Sequence, residues 1–530
     1  MNVLLLSLLA CTGQPPEDSS PPPEDSSPPD NDSSSFDPVV CDPLTLSVSQ
    51  SWSEEELPDR NNYIQRRPGV GVGDIDGDGD LDILFAYGGG SMALINDGTG
   101  LLTEDEGVTS KGRPLSEASA VAMADVDGDG DLDAFLGRQW ETADNILIND
   151  GAGAFSITTL PESSTSPSGG VFGDLDGDGD LDLVVGRVQE SPDPEFIIAG
   201  EEHGEGLDLY FNDGSGDFSL DNSSLPTSLE TAMVWETELL DVDLDGDLDL
   251  YLANDFGPWL TPNLLLLNDG TGHFSVAEDC FCDLGMHAMG VGVGDVNEDG
   301  YPDLYVTDIG GPKLLINDGG SLFYNGTLAH GADIPPETSN MSSWGAIFTD
   351  IDADMDLDLA VMFGRLGRHS DYVKGLDDDW VDGEEQDDVL LLNDGDQAFT
   401  RADEVGFTDS DRGRVVVPAD LDGDGHPELI TAGKHFLKVW QTEGGCESVL
   451  TVVLDAPDHG IGARVSVEAG GRTVTQWMQP GVTASSGAME LYFGLGDLEA
   501  ADRVEVRWLG GQTTTLQGVA AGERLVVSPE

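Results

Sequence analysis

Aspartates recur at alternate positions in seven nine-residue segments, and they are the residues of this sequence best suited to chemistry. The segments, loops 1 to 7, start 49 to 70 residues apart and hold 33 of the 103 acidic residues. A repeat at this interval indicates one structural unit that is used many times. The loops are DIDGDGDLD (74–82), DVDGDGDLD (125–133), DLDGDGDLD (174–182), DVDLDGDLD (241–249), DVNEDGYPD (295–303), DIDADMDLD (350–358) and DLDGDGHPE (420–428).

The spacing within each loop predicts a calcium site. Side-chain oxygens at positions 1, 3 and 5 of a tight turn converge on one point, and a carboxylate at position 9 closes the far side. Position 7 contributes a backbone carbonyl, so its side chain is free to vary. Glycine at position 6 allows the positive φ that a sharp turn needs. An all-oxygen cage of about six or seven ligands suits Ca²⁺ better than Mg²⁺ or a transition metal.

Each loop contributes five predicted ligands, one from each odd position, and we expect up to seven calcium ions in total. Three or four carboxylates packed this closely repel one another unless a cation lies between them. The predicted ligands are Asp74, Asp76, Asp78, Asp80 and Asp82 in loop 1, Asp125, Asp127, Asp129, Asp131 and Asp133 in loop 2, Asp174, Asp176, Asp178, Asp180 and Asp182 in loop 3, and Asp241, Asp243, Asp245, Asp247 and Asp249 in loop 4. The remaining ligands are Asp295, Asn297, Asp299, Tyr301 and Asp303 in loop 5, Asp350, Asp352, Asp354, Asp356 and Asp358 in loop 6, and Asp420, Asp422, Asp424, His426 and Glu428 in loop 7.

An apolar run follows position 9 in every loop, and this run decides the architecture. An EF-hand would continue into a helix, whereas runs such as LDILFA and LDLVVG are typical of short buried strands. Further along, six segments carry Asn-Asp-Gly, which is a strong signal for a tight turn between strands. Units of several short antiparallel strands bury their edges best by radial closure. We therefore predict an all-β fold in which residues 42–446 form a seven-bladed β-propeller.

The repeats resemble the calcium-binding FG-GAP, or VCBS, repeats of the integrin α-subunit propeller. The phrases DLYLANDFGP (249–258) and GDVNEDGYPDLYV (294–306) resemble the cartilage acidic protein family. This resemblance implies an extracellular propeller loaded with calcium. It implies no established reaction.

After Cys446 the periodicity changes, and the chain resembles the ASPIC/UnbV domain. The phrases that carry this resemblance are GIGARVSVEAGGR (460–472), LYFGLG (491–496) and DRVEVRWLGG (502–511). The resemblance implies that residues 447–530 form a small, β-sandwich-like domain behind the propeller.

The charge of the chain excludes two classes of partner. With 21 Lys and Arg against 103 Asp and Glu, the formal net charge is −82. A nucleic-acid-binding protein needs a basic surface that displaces counterions from phosphates, so we expect no nucleic acid partner. The same balance opposes electrostatic docking on an anionic membrane.

The N-terminus predicts export and a lipid anchor. Residues 1–10 (MNVLLLSLLA) are too short to span a bilayer but fit a signal peptide, with a chance apolar N-terminus as the alternative. LLAC at 8–11 resembles a bacterial lipobox, which implies cleavage before Cys11 and lipidation of that residue. Residues 11–41 then hold the lipidated Cys and a Pro/Ser/acidic tract, which we predict to be a disordered tether. We expect a cell-envelope or extracellular protein, most simply a surface lipoprotein, whose membrane contact is through Cys11 alone.

The other four cysteines predict a ring closure. A propeller must join its first and last blades, and an exported protein can form disulfides. Cys41 precedes the first predicted strand and Cys446 follows the seventh hairpin, so we predict a disulfide between them. The alternative is that Cys41 belongs to the tether and pairs with nothing. Cys280 and Cys282 form either a CxC disulfide or two thiols.

Motifs for catalysis are missing from the sequence. It contains no GxSxG, HExxH or Walker loop, and none of its eight histidines stands at metal-ligand spacing with another. A glycosidase carboxylate pair cannot be separated from the many calcium-loop aspartates. We therefore expect a non-catalytic calcium-binding protein that mediates protein or glycan binding or adhesion. The alternatives are a polysaccharide-active envelope enzyme that uses aspartates outside the loops, and a purely structural surface element.

Overall fold

In the computed structural model, Val39–Glu530 form one compact unit. The predicted signal peptide and Cys11 lie outside the described residues. No helix in the described part of the chain is long and apolar enough to cross a membrane. The described residues are 41–53, 67–87, 90–105, 118–138, 143–163, 166–188, 197, 203–334, 342–364, 386–393, 395, 397–410, 412–433, 436–479, 481 and 485–529.

Seven four-stranded antiparallel sheets of the described residues form the blades of a propeller. The first strand, β1 (Asp42–Trp52), belongs to the last blade. Blades 1 and 2 comprise β2 (Gly69–Gly73), β3 (Asp82–Tyr87), β4 (Gly90–Asn96), β5 (Leu102–Asp105), β6 (Ala118–Ala124), β7 (Asp133–Arg138), β8 (Asn145–Ile148) and β9 (Ser156–Thr159). Blades 3 and 4 comprise β10 (Pro167–Gly173), β11 (Asp182–Arg187), β12 (Gly206–Asn212), β13 (Phe218–Leu220), β14 (Val234–Leu240), β15 (Asp249–Asn254), β16 (Leu264–Asn268) and β17 (Phe274–Val276).

Blades 5 to 7 continue the same pattern. Blades 5 and 6 comprise β18 (Ala288–Gly294), β19 (Asp303–Asp308), β20 (Lys313–Asn317), β21 (Phe323–Asn325), β22 (Ser343–Thr349), β23 (Asp358–Phe363), β24 (Val389–Asn393) and β25 (Phe399–Arg401). Blade 7 comprises β26 (Gly413–Ala419), β27 (Glu428–Gly433), β28 (Phe436–Gly445) and β1. The prediction of a seven-bladed all-β propeller is thereby confirmed.

The ring closes through the N-terminal strand. β1 pairs antiparallel with β28, from Asp42 opposite Gly445 to Trp52 opposite Leu437, so the two ends of the propeller share blade 7. At the end of this pair the structure holds a disulfide between Cys41 and Cys446, whose Cα atoms are 4.7 Å apart. Radial repetition of this kind leaves only short, protected strand edges.

The core lies between the blades, because each sheet packs its two faces against its neighbours. The first strand of each blade is the innermost, and those of blades 1 to 6 are completely buried. Neighbouring backbones approach so closely here that side chains are excluded at some positions. A Cβ on Gly69 would lie 2.6 Å from the backbone nitrogen of Val121, which explains the Gly-Val-Gly-Val-Gly sequence of β2.

The C-terminal domain consists of two sheets around its own core. One sheet has the order β32-β29-β35 and the other β31-β30-β33-β34. Leu450, Val465, Phe493 and Val504 lie between them and are fully buried. The strands are β29 (Ser448–Leu454), β30 (Arg464–Ala469), β31 (Arg472–Trp477), β32 (Glu490–Gly496), β33 (Ala500–Arg507), β34 (Thr513–Ala520) and β35 (Arg524–Val527).

A segment of the C-terminal domain reaches the axis of the propeller. The main chain of Ser486 exchanges hydrogen bonds with Val70 and Val72 of β2, at 2.9 and 3.1 Å. The hydroxyl of Ser485 accepts a hydrogen bond from Val70 N–H at 2.9 Å, and that of Ser486 accepts one from Met123 N–H at 3.1 Å. The domain is thus joined to the innermost strands of blades 1 and 2.

Candidate metal centres

The seven aspartate loops occupy equivalent places in the seven blades. Each loop connects the first strand of its blade to the second, and position 9 is the first residue of the second strand. Loop 1, for example, runs from the end of β2 to Asp82 of β3. Because the blades repeat one topology, all seven loops lie at the same end of the propeller.

The carboxylate at position 1 organises the turn. In loop 1, Asp74 accepts hydrogen bonds from Gly77 N–H at 2.8 Å and Gly79 N–H at 3.0 Å. The φ angles of these two glycines are +79° and +98°, in the left-handed region that glycine adopts without strain. Loop 7 repeats the arrangement with Asp420 as the acceptor.

Position 4 is a second left-handed position, which the sequence analysis missed. Leu244, Glu298 and Ala353 occupy it in loops 4, 5 and 6, with φ angles of +62°, +58° and +59°. The signal was present in the sequence, since the other four loops carry glycine at position 4 as well as at position 6. In loop 6, Met355 replaces the glycine of position 6 and keeps the same turn with φ +80°.

Side-chain oxygens converge in the loops as the spacing predicts. In five loops, three carboxylates offer oxygens that all lie within 4.8 Å of one another. The position 3 carboxylates of Asp76, Asp127 and Asp243 each have a buried oxygen without a hydrogen-bond partner among the described residues. Buried acceptors of this kind normally have a partner, so these residues fit a cation. Five of the converging sets among the described residues are Asp74, Asp76 and Asp78; Asp125, Asp127 and Asp133; Asp174, Asp176 and Asp178; Asp241, Asp243 and Asp245; and Asp350, Asp352 and Asp358.

The carboxylate at position 9 is fixed by two backbone donors. In loop 3, Asp182 accepts hydrogen bonds from Leu175 N–H at 3.1 Å and Asn212 N–H at 3.0 Å. Burial nevertheless raises the pKa of Asp182 to about 8, since the charged form loses its hydration. Burial likewise raises the pKa of Asp82 to about 6, Asp133 to about 7, and Asp249, Asp303 and Glu428 to about 8. A cation in the loop would favour the charged carboxylates.

The side chain at position 7 points towards the hairpin turn between the third and fourth strands. A Cβ on Gly98 would lie 2.5 Å from Asp80 Oδ2, and one on Gly151 would lie 2.3 Å from Asp131 Oδ2. The glycine of Asn-Asp-Gly leaves room for this contact and has a left-handed backbone of its own.

The asparagine of Asn-Asp-Gly connects neighbouring blades, a role that sequence analysis did not identify. Asn212 of blade 3 donates from Nδ2 to Val126 O, at position 2 of loop 2, over 2.8 Å. Asn96 of blade 1 donates in the same way to Leu421 O of loop 7 over 2.7 Å, across the closure of the ring. Equivalent bonds link three further blades to the preceding loop, through Asn149, Asn268 and Asn317.

The C-terminal domain covers the end of the propeller that carries the loops. Hydrogen bonds from this domain reach loops 2, 4, 5, 6 and 7. Tyr492, for example, accepts at its hydroxyl oxygen from Asp420 N–H at 3.0 Å, and Arg507 donates to Leu244 O at 3.0 Å. In loop 2, Asp125 N–H donates to His459 Nε2 at 3.1 Å.

Loop 6 interacts with the C-terminal domain through hydrogen bonds, an ion pair and a buried side chain. Gly494 N–H donates to Asp350 Oδ2 at 3.0 Å, and Arg472 forms a two-point ion pair with Asp356. The side chain of Met355 is 3% exposed and packs in the core of the C-terminal domain. Burial and neighbouring carboxylates raise the pKa of Asp354 to about 9 and that of Asp350 well above its ordinary value.

Family models match most of the part of the chain described above. The model described as FG-GAP-like repeat matches five stretches that together exceed half of the chain, and the model described as ASPIC and UnbV matches the C-terminal domain. The FG-GAP-like matches cover residues 74–136, 135–185, 241–306, 295–361 and 377–431, and the ASPIC and UnbV match covers 455–530.

A curated human protein, cartilage acidic protein 1, is 29% identical to the chain over 297 residues. The match covers 52% of this chain and 40% of that protein's length.

Solved structures with similar folds are more distant. An Agrocybe aegerita lectin that recognises non-reducing terminal N-acetylglucosamine has 14% identity and a TM-score of 0.41, over 67% of this chain and 84% of that chain. The V. cholerae biofilm matrix protein Bap1 has 13% identity and a TM-score of 0.34, over 90% of this chain and 63% of that chain. A Bacillus licheniformis rhamnogalacturonan lyase has 12% identity and a TM-score of 0.36, over 71% of each chain. Similarity at this level carries no argument about ligand or reaction. On the family matches and the fold together, the chain belongs to the FG-GAP-like repeat family and carries an ASPIC/UnbV domain at its C-terminal end.

Proposed function

We propose that the protein is a calcium-binding propeller of the cell surface or extracellular space, which binds a protein or glycan partner without catalysis. The observation that carries calcium binding is the convergence of carboxylates whose buried oxygens, as in Asp76, Asp127 and Asp243, have no hydrogen-bond partner among the described residues. Oxygen-only donor sets in a flexible loop are the ligands that Ca²⁺ prefers. The net charge of −82 adds a general need for cations.

The position of the C-terminal domain supports partner binding elsewhere on the propeller. This domain contacts five loops and reaches the axis through Ser486, so it occupies the loop end. The opposite end and the outer edges of the blades remain for a partner. Loops and edges of rigid scaffolds are the usual carriers of recognition.

Calcium binding is tested by calorimetric titration and by thermal unfolding of the full chain. We expect several calcium ions per chain and a lower unfolding midpoint in EGTA. At a calcium concentration tenfold above a site's Kd, each occupied site adds about 1.4 kcal/mol to the free energy of unfolding. An unchanged midpoint in EGTA, together with no bound calcium, would refute the calcium proposal.

Partner binding is tested by affinity capture from the native envelope, with and without chelator. We expect a partner whose capture requires calcium, because calcium rigidifies the propeller. Capture that is unaffected by EGTA would show that the calcium loops do not support recognition.

Fractionation of a Cys11→Ser variant tests the lipid anchor separately, since release from membranes is expected only if Cys11 is lipidated.

A second candidate, an envelope enzyme, is favoured by one observation outside the loops. His287 Nδ1 lies 2.8 Å from Asp255 Oδ1, and the imidazole packs against the rings of Phe256 and Trp259, each at a centroid distance of 5.3 Å. An aspartate that orients a histidine is a common acid–base arrangement. If Asp255→Asn abolished turnover of a polysaccharide while leaving calcium binding intact, the enzyme would replace the non-catalytic function.

A further inference from the structure

Three exposed apolar side chains lie on neighbouring segments at the outer edge of blades 4 and 5. Phe281, Leu322 and Tyr324 are 65%, 42% and 47% exposed. Phe323 N–H donates to Cys280 O at 2.9 Å, which brings Phe281 beside the strand that carries Tyr324. Phe323 itself is buried, and strand alternation therefore turns its two neighbours outwards. We call Phe281, Leu322 and Tyr324 the Phe281 patch.

The backbone holds Phe281 in this exposed place. Its φ angle is +55°, and that of Asp279 is +63°, a conformation that is unfavourable for residues with a side chain. Cys280 and Cys282 are joined by a disulfide across Phe281, and both are buried in the same apolar cluster as Phe323. Tyr251 also donates from its hydroxyl to Cys282 O at 3.3 Å. Unfavourable backbone conformations that the surroundings enforce are concentrated at binding sites.

Carboxylates surround the Phe281 patch. Glu278, Asp279 and Asp283 are exposed on either side of the CxC segment, and Asp318 is exposed in the turn before β21. Burial, followed by the negative charges of Asp303 and Asp318, raises the pKa of Tyr324. The patch is therefore apolar at its centre and negative at its rim, the layout of a protein-recognition surface.

We propose that the Phe281 patch docks a protein partner through a segment in which apolar side chains alternate with Lys or Arg. This inference rests on the proposed partner-binding function and assigns it a surface and a partner chemistry. Apolar side chains of the partner would contact Phe281 and Tyr324, and its cations would face the acidic rim. A second copy of this chain does not fit, because two chains of charge −82 repel each other.

A rigid backbone allows so small a surface to contribute to binding, because little conformational entropy is lost when the partner binds. The backbone of Phe281 needs no ordering on binding, since the disulfide and the Phe323–Cys280 hydrogen bond fix it. Exposed aromatic side chains held in this way commonly supply most of the binding energy of an interface. A neutral glycan could stack on the same rings but would make no use of the carboxylate rim.

The test compares the calcium-loaded full chain with a Phe281→Ser variant. The probe is a synthetic peptide that alternates Lys and Leu around a central Phe, and the reference is a peptide of equal charge built from Lys and Ser. We expect Phe281→Ser to weaken binding of the apolar peptide about tenfold or more. Leu101→Ser, which removes a side chain 52% exposed on blade 1, is the matched control and should change nothing. Binding of the Lys/Ser peptide should be the same for all three proteins.

The proposal is overturned if Phe281→Ser binds the apolar peptide as well as the parent protein does. It is also overturned if the parent binds neutral glycans and the variant does not, which would make the patch a glycan site. Binding of the apolar peptide to a Leu322→Ser variant is a second test of the same patch. Thermal unfolding midpoints within error of that of the parent protein verify that both variants fold. Calcium titration of the same samples shows separately whether the calcium proposal holds.

Discussion

At the scale of single residues, the position 9 carboxylates have two structural functions. Asp182 closes its own loop through Leu175 N–H and holds the hairpin of its blade through Asn212 N–H. Both functions require a carboxyl group in a buried place, and burial favours its neutral form. Without a cation the site therefore stabilises the protonated acid.

The first prediction concerns pH. The folded-state pKa of Asp182 is about 8 against an ordinary value of 3.8, so the metal-free folded state binds a proton more tightly than the unfolded state. The stability from this group is fully present below about pH 4 and is lost as the pH rises through about 8. The unfolding midpoint of protein freed of metal by gel filtration should therefore fall between pH 5 and pH 8.

With saturating calcium, the trend should reverse, because protons compete with the cation for the same oxygens. Asp182→Asn should flatten the metal-free slope, since it removes one titrating group. A metal-free midpoint that rises from pH 5 to pH 8 would contradict the prediction.

The second prediction concerns Asn212. Its Nδ2 donates to Val126 O of the preceding blade and to Leu181 O, at 2.8 and 3.1 Å. Asn212→Ala leaves both buried carbonyls without this donor, at a cost of about 1–3 kcal/mol in the free energy of unfolding. Denaturant unfolding measures this loss, and Asp217→Ala, at an exposed position of the same hairpin, is the control. Equal stability of the two variants would mean that water replaces the asparagine.

At the scale of elements, loop 6 belongs to two domains at once. It supplies converging carboxylates like the other loops, and it also supplies the C-terminal domain with acceptors. Gly494 N–H donates to Asp350 Oδ2 at 3.0 Å, and Gly496 N–H donates to Ala353 O at 2.9 Å. A methionine at position 6 is explained by this second function, because its side chain enters the neighbouring core.

The third prediction follows from the burial of Met355. Met355→Ala should destabilise the packing of the C-terminal domain by about 2–5 kcal/mol, the usual cost of truncating a buried methionine. Hydrogen exchange should show faster exchange in β29 and β32. Leu244→Ala, at another left-handed position in loop 4, is the control and should leave these strands protected. Equal protection in both variants would show that the domain does not depend on loop 6.

At the scale of the whole molecule, closure of the ring joins residues about 400 positions apart. β1 completes blade 7, and the Cys41–Cys446 disulfide lies at the end of the pairing, with a sequence separation of 405. Both connections act on the same contact between the first and last parts of the propeller. Loss of β1 would expose the edge of β28.

The fourth prediction concerns this disulfide. Cross-linking so long a loop removes entropy from the unfolded chain, worth about 6 kcal/mol in the chain-entropy model, so a Cys41→Ser/Cys446→Ser variant should lose about 2–5 kcal/mol, the usual cost of removing a native disulfide. Non-reducing peptide mapping should recover the Cys41 and Cys446 peptides joined. A Cys41 peptide recovered alone, or joined to Cys280 or Cys282, would contradict it.

The sequence by itself determined the repeat, the propeller and the chemistry of the loops. The three carboxylates that converge in a loop lie within nine residues of one another, so their convergence depends on local backbone geometry, as the hydrogen bond from Gly79 N–H to Asp74 shows. The apolar runs after position 9 likewise determine short strands through their own pattern. Such local information is complete in each copy and is repeated seven times.

Only the tertiary structure decided how the copies are joined. Asn212 contacts Val126 across 86 positions, Met355 packs in a domain that begins almost a hundred residues later, and Phe281 lies beside Tyr324 through one backbone hydrogen bond. No periodicity in the sequence encodes these contacts, because each depends on surfaces that form only when blades and domains pack together. The physical reason is that a side chain's partners across an interface are set by three-dimensional packing, whereas its turn or strand is set by its neighbours in the chain.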